Sequence, residues 1–295
     1  MSDLKPPDIL EDYPYKRIGE AFYFPSQDIQ IYNNGPGITS SKIRRFAESP
    51  LHALEQVTYL TSEKIFESAA HTLIVDGEGA FFTDFETITK SIDADSNKNL
   101  RDKSLNDKKT VISQNDTDTI YRMKGSIVHE AHDYLFPGQG YPKADEDFPN
   151  AFDSPNEVSL YWYDQGLLCK TRPSIVINPI DQPKSKKSLV LINYVIIDNC
   201  SVDGFIISAK KNSYYLKAAW NKKGFEKAGF EVDDIIFIAQ ETVQPYANKV
   251  FKMNSDDIET ASNLSNVYLT EYNRMLNGKP ATAYNSPNIV ELDKI

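Results

Sequence analysis

Cysteine is scarce in this chain: two residues, Cys169 and Cys200, among 295. Two thiols cannot supply the four ligands of an iron–sulfur cluster, and so sparse a use of cysteine reads as reduced thiols in the cytoplasm. Cys169 lies among leucines with no histidine near it in sequence, so a catalytic thiol is not the reading. No apolar run approaches the roughly 18 residues of a membrane span, and a membrane is not an expected partner. The opening MSDLKPPDILEDYPYK lacks the basic-then-apolar order of a secretion signal. Internal repeats are absent, as are the phosphate-cradling GxxxxGK[ST] and GxGxxG loops and the GxSxG nucleophile turn. The HEAH segment spaces His129 and His132 at i and i+3, whereas a zinc-protease helix needs i and i+4. An excess of basic residues is also missing: the formal net charge is −10. Proteins that grip phosphates usually show a basic footprint, so any nucleic-acid contact here must come from a local patch working against the global field.

What is present is the composition of an ordinary folded chain, 40% hydrophobic and 25% charged. Its most apolar stretch is SLVLINYVIID, residues 188–198. That run reads as a strand buried on both faces near the centre of a sheet. Alternation puts Leu191, Asn193, Val195 and Ile197 on one face and Val190, Ile192, Tyr194 and Ile196 on the other. Asn193 is its one amide. Buried there, it needs partners or costs about 1–3 kcal/mol, so it is either a satisfied core polar group or the remnant of a site.

Around this strand the chain divides into an arm over residues 1–34, one domain over 35–278 and a tail over 279–295. The arm is rich in Pro, Asp and Tyr and is expected to be extended or to form short edge strands. Thr39 or Ser40 caps a helix that buries Ile43 and Phe46, and 51–59 forms a second short helix. Ser62 caps a helix over 63–75 that carries Ile65, Phe66, Ala69, His71 and Leu73. Polar loops are expected over 91–109 and 137–155, with one long helix from Ser113 to Leu135 between them. A hairpin follows, 157–163 and 167–176, turning at Asp164-Gln165-Gly166. A helix over 211–227, strands over 235–239 and 248–253, and a last helix capped by Ser255 complete the expectation. That last helix buries Ile258, Ala261, Leu264 and Tyr268.

The order of these segments resembles the RecE-type (exonuclease VIII) branch of the PD-(D/E)XK nucleases. GPGITSSKI at 35–43 is similar to that family's "GPG-[IV]-S-x-S-x-L" opening, and PLHA at 50–53 and AHTL at 70–73 follow in the expected places. EVSLYWYDQGLLCKTRP at 157–173 resembles "E-x-S-[IL]-[YF]-W-x-D…G-[IL]-L-C-[KR]-x-R-P-D", and AAW at 218–220 falls on a similar helix. The likeness spans roughly residues 30–278. It implies an α/β fold with a restriction-endonuclease-like PD-(D/E)XK core, a mixed central β-sheet flanked by helices.

The resemblance also implies where chemistry would sit. In the family an Asp directly after Arg-Pro and a D-x-K on the central strand hold Mg²⁺ and activate water. Here those positions are Ser174, Asn193 and Val195, and a helix position that is usually Gln is Lys217. His71, Glu157 and Tyr214 match, with Glu157 the one retained metal-ligand position should the protein be active. Loss of two carboxylates and the ammonium together retires a metal site without stranding a buried charge, and Lys217 could stand in the vacated position. The expectation is therefore a pseudo-nuclease that needs no cofactor and acts by binding. Its implied partners are duplex DNA ends, a recombination or repair protein, and further copies of itself in a homo-oligomer. Lys210, Lys211, Lys217 and Lys222, with Tyr214, form a candidate DNA-binding patch that Lys223 and Lys227 extend into one basic cluster, and whose alternative reading is a solvated helix face. Two other readings stay open: an active Mg²⁺-dependent exonuclease with a relocated site, and an acidic interaction protein or inhibitor. For the first, Asp198, Asp203, Glu157 and Glu241 are the available carboxylates, although Asp198, on the opposite strand face from Asn193, cannot simply substitute.

Overall fold

The computed structural model describes residues 13–24, 27, 29–54, 61–88, 109–135, 156, 158–177 and 188–281. In chain order the strands are β1 (Lys16–Ile18), β2 (Ala21–Phe24), β3 (Phe85–Ile88), β4 (Thr110–Ser113), β5 (Ser159–Asp164), β6 (Leu167–Thr171), β7 (Ile175–Ile177), β8 (Ser188–Ile196), β9 (Glu231–Gln240) and β10 (Asn248–Lys252). The helices are α1 (Ile29–Asn34), α2 (Ser40–Glu48), α3 (Pro50–Leu54), α4 (Ser62–His71), α5 (Glu78–Asp84), α6 (Gln114–Gly125), α7 (His129–Leu135), α8 (Val202–Asn212), α9 (Tyr214–Lys227) and α10 (Ser255–Leu276). A π-helical turn over Thr72–Asp76 extends α4.

Two four-stranded sheets organise these elements, in the orders β1-β2-β5-β6 and β10-β9-β8-β7. The first is antiparallel throughout. The second is mixed: β8 runs parallel to β9, while its other pairs are antiparallel. A separate parallel pair joins β3 to β4.

The long apolar run is the interior strand β8, between β7 and β9, as its composition requires. Its two faces serve two different cores. Leu189 and Leu191 pack with Trp162, Trp220 and Phe237 beneath α9 and α10. Val190, Ile192 and Tyr194 pack with Leu73, Ile120 and Met123 beneath α4 and α6. A smaller aromatic cluster of Phe22, Phe24, Tyr32 and Tyr161 covers the outer face of the first sheet.

Several boundaries differ from the sequence expectation, each for a local reason. The hairpin turn forms at Gln165-Gly166, both with positive φ (49° and 78°), a conformation Gly adopts at little cost. Its return strand ends at Thr171; after Arg172-Pro173 the chain crosses into the second sheet as β7, because Pro cannot donate a ladder hydrogen bond. The expected helix over 114–135 is two helices. It stops at Gly125, and the buried Gln240 side chain donates to the Met123 carbonyl in the last turn that this end leaves (2.7 Å). The expected helix over 211–227 is likewise preceded by a separate α8, with Ser213 between the two in the left-handed conformation (φ 53°, ψ 48°). Asn254, not Ser255, caps α10, and the buried stripe runs Ile258, Ala261, Ser265, Leu269, Tyr272, Met275, leaving Leu264 exposed. Thr61 rather than Ser62 caps α4. Of the expected arm, β2 is an interior strand paired to β1 and β5. The expected polar loops lie outside the described residues apart from Lys109.

Candidate functional site

α9 is the element that builds the site. Lys217 and Asn221 lie one helical turn apart and so share a face. On β8, Val195 and Asn193 lie two residues apart and share a face as well. The inner pair is sealed: Asn193 and Asn221 are buried, and the Asn221 amide donates to Asn193 Oδ1 (3.1 Å) while its own oxygen accepts from the Thr171 hydroxyl. The outer pair, Val195 and Lys217, is half-buried and lines a cavity of about 690 Å³.

His71 reaches the same cavity from the end of α4. Its Nε2 lies 2.9 Å from Ser174 Oγ, and Ser174 Oγ also accepts the Tyr194 backbone N–H (3.1 Å). Asp76 Oδ2 lies 3.9 Å from His71 Nδ1 on the opposite side of the ring. Ser174 itself is 3% exposed, so its hydroxyl serves the interior and not the cavity. The Tyr194 ring sits edge-on to His71, and its hydroxyl donates to Gln240 Oε1 (2.6 Å); burial pushes this phenol far above its ordinary range.

The cavity is polar and cationic for so acidic a chain. Arg44, Lys64, Arg172 and Lys217 converge on it from four different segments, against the carboxylates of Glu67, Asp76 and Asp84. Burial, and then the neighbouring Glu63, push the Glu67 carboxyl above its usual range. No acidic residue lies in the first turn of α9, so the partial positive charge of that helix end is not offset there.

The positions singled out from the sequence thus divide. His71, Val195, Tyr214 and Lys217 line the cavity; Ser174 and Asn193 are buried behind it; Glu157 lies outside the described residues. Tyr214 is 8% exposed and stacks on Phe237 (5.0 Å between centroids). The lysines do not form one cluster. Lys210 and Lys211 are exposed at the end of α8, while Lys222 pairs with Glu226 (3.7 Å), Lys223 with Asp164 and Lys227 with Glu20 (2.7 Å). Sequence reasoning missed Arg44, Lys64 and Arg172 as cavity cations. A signal was available for Arg172 alone, since it lies two residues before Ser174.

A hard divalent cation such as Mg²⁺ is held by charged carboxylate oxygens. Ser174 and Asn193 offer neutral oxygens already bonded within the protein, and Val195 offers none. Among the described residues no group of three His, Cys, Asp or Glu side chains is placed to hold a metal ion. Asp198 and Asp203 are exposed beyond the end of β8, and Glu241 accepts the Cys200 N–H (2.7 Å); none of the three lines the cavity. The described residues do not fit Mg²⁺.

No protein-family model matches the sequence, and no curated protein matches it. One solved structure, from Eubacterium rectale and named "putative exonuclease", is similar in fold, with a TM-score of 0.56 and 10% sequence identity over 90% of this chain and 93% of that one. Among the described residues no helix is long and apolar enough to cross a membrane. The chain is thus a mixed α/β protein whose fold is similar to that of a protein named as an exonuclease.

Proposed function

We propose that this protein is a non-cleaving relative of the RecE-like PD-(D/E)XK nucleases, which binds duplex DNA ends rather than degrading them. One observation carries the reading. The two positions where the resemblance calls for metal-binding carboxylates are neutral, buried and engaged in internal hydrogen bonds, Ser174 with His71 and the Tyr194 N–H, Asn193 with Asn221. An ionised carboxylate gains from several N–H donors, whereas a serine between a histidine and one N–H is satisfied without a metal. Similarity of fold to a protein named as an exonuclease supports the ancestry. The cationic cavity supports an anionic ligand.

The test is a nuclease assay on linear duplex DNA with Mg²⁺ and with Mn²⁺, alongside a gel-shift measurement on the same DNA. We expect binding without degradation. Processive degradation that is lost on Glu157→Gln would overturn the reading in favour of an active exonuclease. Absence of binding even at low salt would favour an interaction protein instead. A variant carrying Ser174→Asp, Asn193→Asp and Val195→Lys together provides the gain-of-function arm.

A further inference from the structure

Building on the DNA-end reading, we infer that the Lys217 ammonium supplies the positive charge that meets a phosphate group in the cavity, so that binding there is independent of any divalent metal. The geometry brings this about in three steps. Along the wall formed by β8 and α9, the Asn221 amide donates to Asn193 Oδ1 out of reach of solvent, while Asn193 Nδ2 has no hydrogen-bond partner among the described residues. Val195, next along the strand face, contributes only methyl groups. Lys217, next along the helix face, then brings the positive side chain of this wall to the cavity.

The other walls reinforce that charge. Arg44 on α2, Lys64 on α4 and Arg172 after β6 border the same space, and four cations outnumber three carboxylates. Asp76 faces His71 and not the open cavity alone. A chain of net charge −10 therefore carries a concave site with a locally positive balance, walled by protein where screening by solvent is weakest. Ammonium groups bind phosphate oxygens as compact point charges with three donors each. An ammonium needs no carboxylate ligands around it, in contrast to a metal ion, which matches the neutral character of positions 174, 193 and 195.

The experiment is a titration of the full-length protein with a short duplex bearing a terminal phosphate, in EDTA and again in Mg²⁺, with inorganic pyrophosphate as a competitor. Equal affinity in the two buffers, competition by pyrophosphate and a loss of about tenfold or more in Lys217→Met are expected, a hydrogen bond to a charged group being of that size. Lys217→Arg, which keeps the charge, should retain most of the affinity, and it separates loss of charge from loss of fold. Binding that appears only with Mg²⁺, or that is unchanged in Lys217→Met, overturns this inference and leaves the DNA-end reading standing. No binding in either buffer overturns both.

Discussion

Lys170 is 2% exposed, and among the described residues no carboxylate partners it. Its ammonium donates to the Tyr32 and Gly35 carbonyls (2.8 Å to Gly35) and lies 4.6 Å from the centroid of the Tyr32 ring. Those carbonyls close the end of α1 and the GPG turn, so one side chain ties the start of the chain to β6. Burial, and then the nearby Lys42 charge, lower its pKa from 10.5 to about 8. The unfolded chain thus holds a proton that the folded chain has lost between those two values, and over that window stability from this group rises with pH. Below pH 8 the full penalty is present, on the order of 3 kcal/mol. The buried thiols act in the opposite direction: burial pushes Cys200 up to about 12 and Cys169 higher still, so their contribution falls as pH rises past the ordinary thiol range. Comparison with Lys170→Met cancels the thiols. Denaturant titrations should give a wild-type-minus-variant difference that is flat below pH 8 and then climbs in favour of wild type by roughly 3 kcal/mol up to pH 10.5. A difference that stays level across that range would show that Lys170 titrates as an ordinary lysine.

At the scale of elements, α9 is decisive because it packs against both sheets. It touches β5 and β6 on one side and β9 on the other, and it carries both Lys217 and Asn221. Gly224 makes that docking possible. A Cβ at this position would stand 2.8 Å from the Thr171 methyl and from the Trp162 ring. Helix propensity favours Gly→Ala by about 1 kcal/mol. Here the close approach outweighs it, because overpacking a filled core costs about 1–3 kcal/mol. Gly224→Ala should therefore lower the urea midpoint with an unchanged m-value. A raised midpoint would mean that α9 has room to shift on the sheet, and the registry of Lys217 over Val195 would then be loose as well.

Across the whole molecule, charge sets how any nucleic acid is met. The chain repels DNA in bulk, and three of the lysines that looked like a basic strip are paired with carboxylates. With four cations in the cavity, at most about four phosphates can be neutralised there. The plot of log K against log salt for duplex DNA should then have a slope of about −3.6 or shallower. A markedly steeper slope would place the contact on an extended basic surface outside the cavity. The same picture predicts an end-binding protein with little affinity for internal duplex, since only a terminus enters a concave site.

The sequence by itself determined the central strand, the division of its residues between two faces, the cap at Ser113 and the hairpin turn at Gly166, and it narrowed the cap of α2 to Thr39 or Ser40. Each follows from periodicity or from the chemistry of one or two neighbouring residues. Through the resemblance it also raised the expectation that Ser174, Asn193 and Val195 stand where that family has charged residues, an expectation that rests on residue identity alone. Only tertiary structure decided the rest. The break at Ser213 has no Gly or Pro to announce it, and the Met123 carbonyl in the last turn before the stop at Gly125 is taken up by Gln240, more than a hundred residues away. Arg44, Lys64, Arg172 and Lys217 share no local spacing; they meet because four separate segments border one cavity. Periodicity could put Asn193 on a face, but whether that amide met a ligand or a partner depended on α9, which brings Asn221 against it. Hydrogen bonds between distant segments cost nothing in local sequence pattern, so they leave no trace there, and this site is made of such bonds.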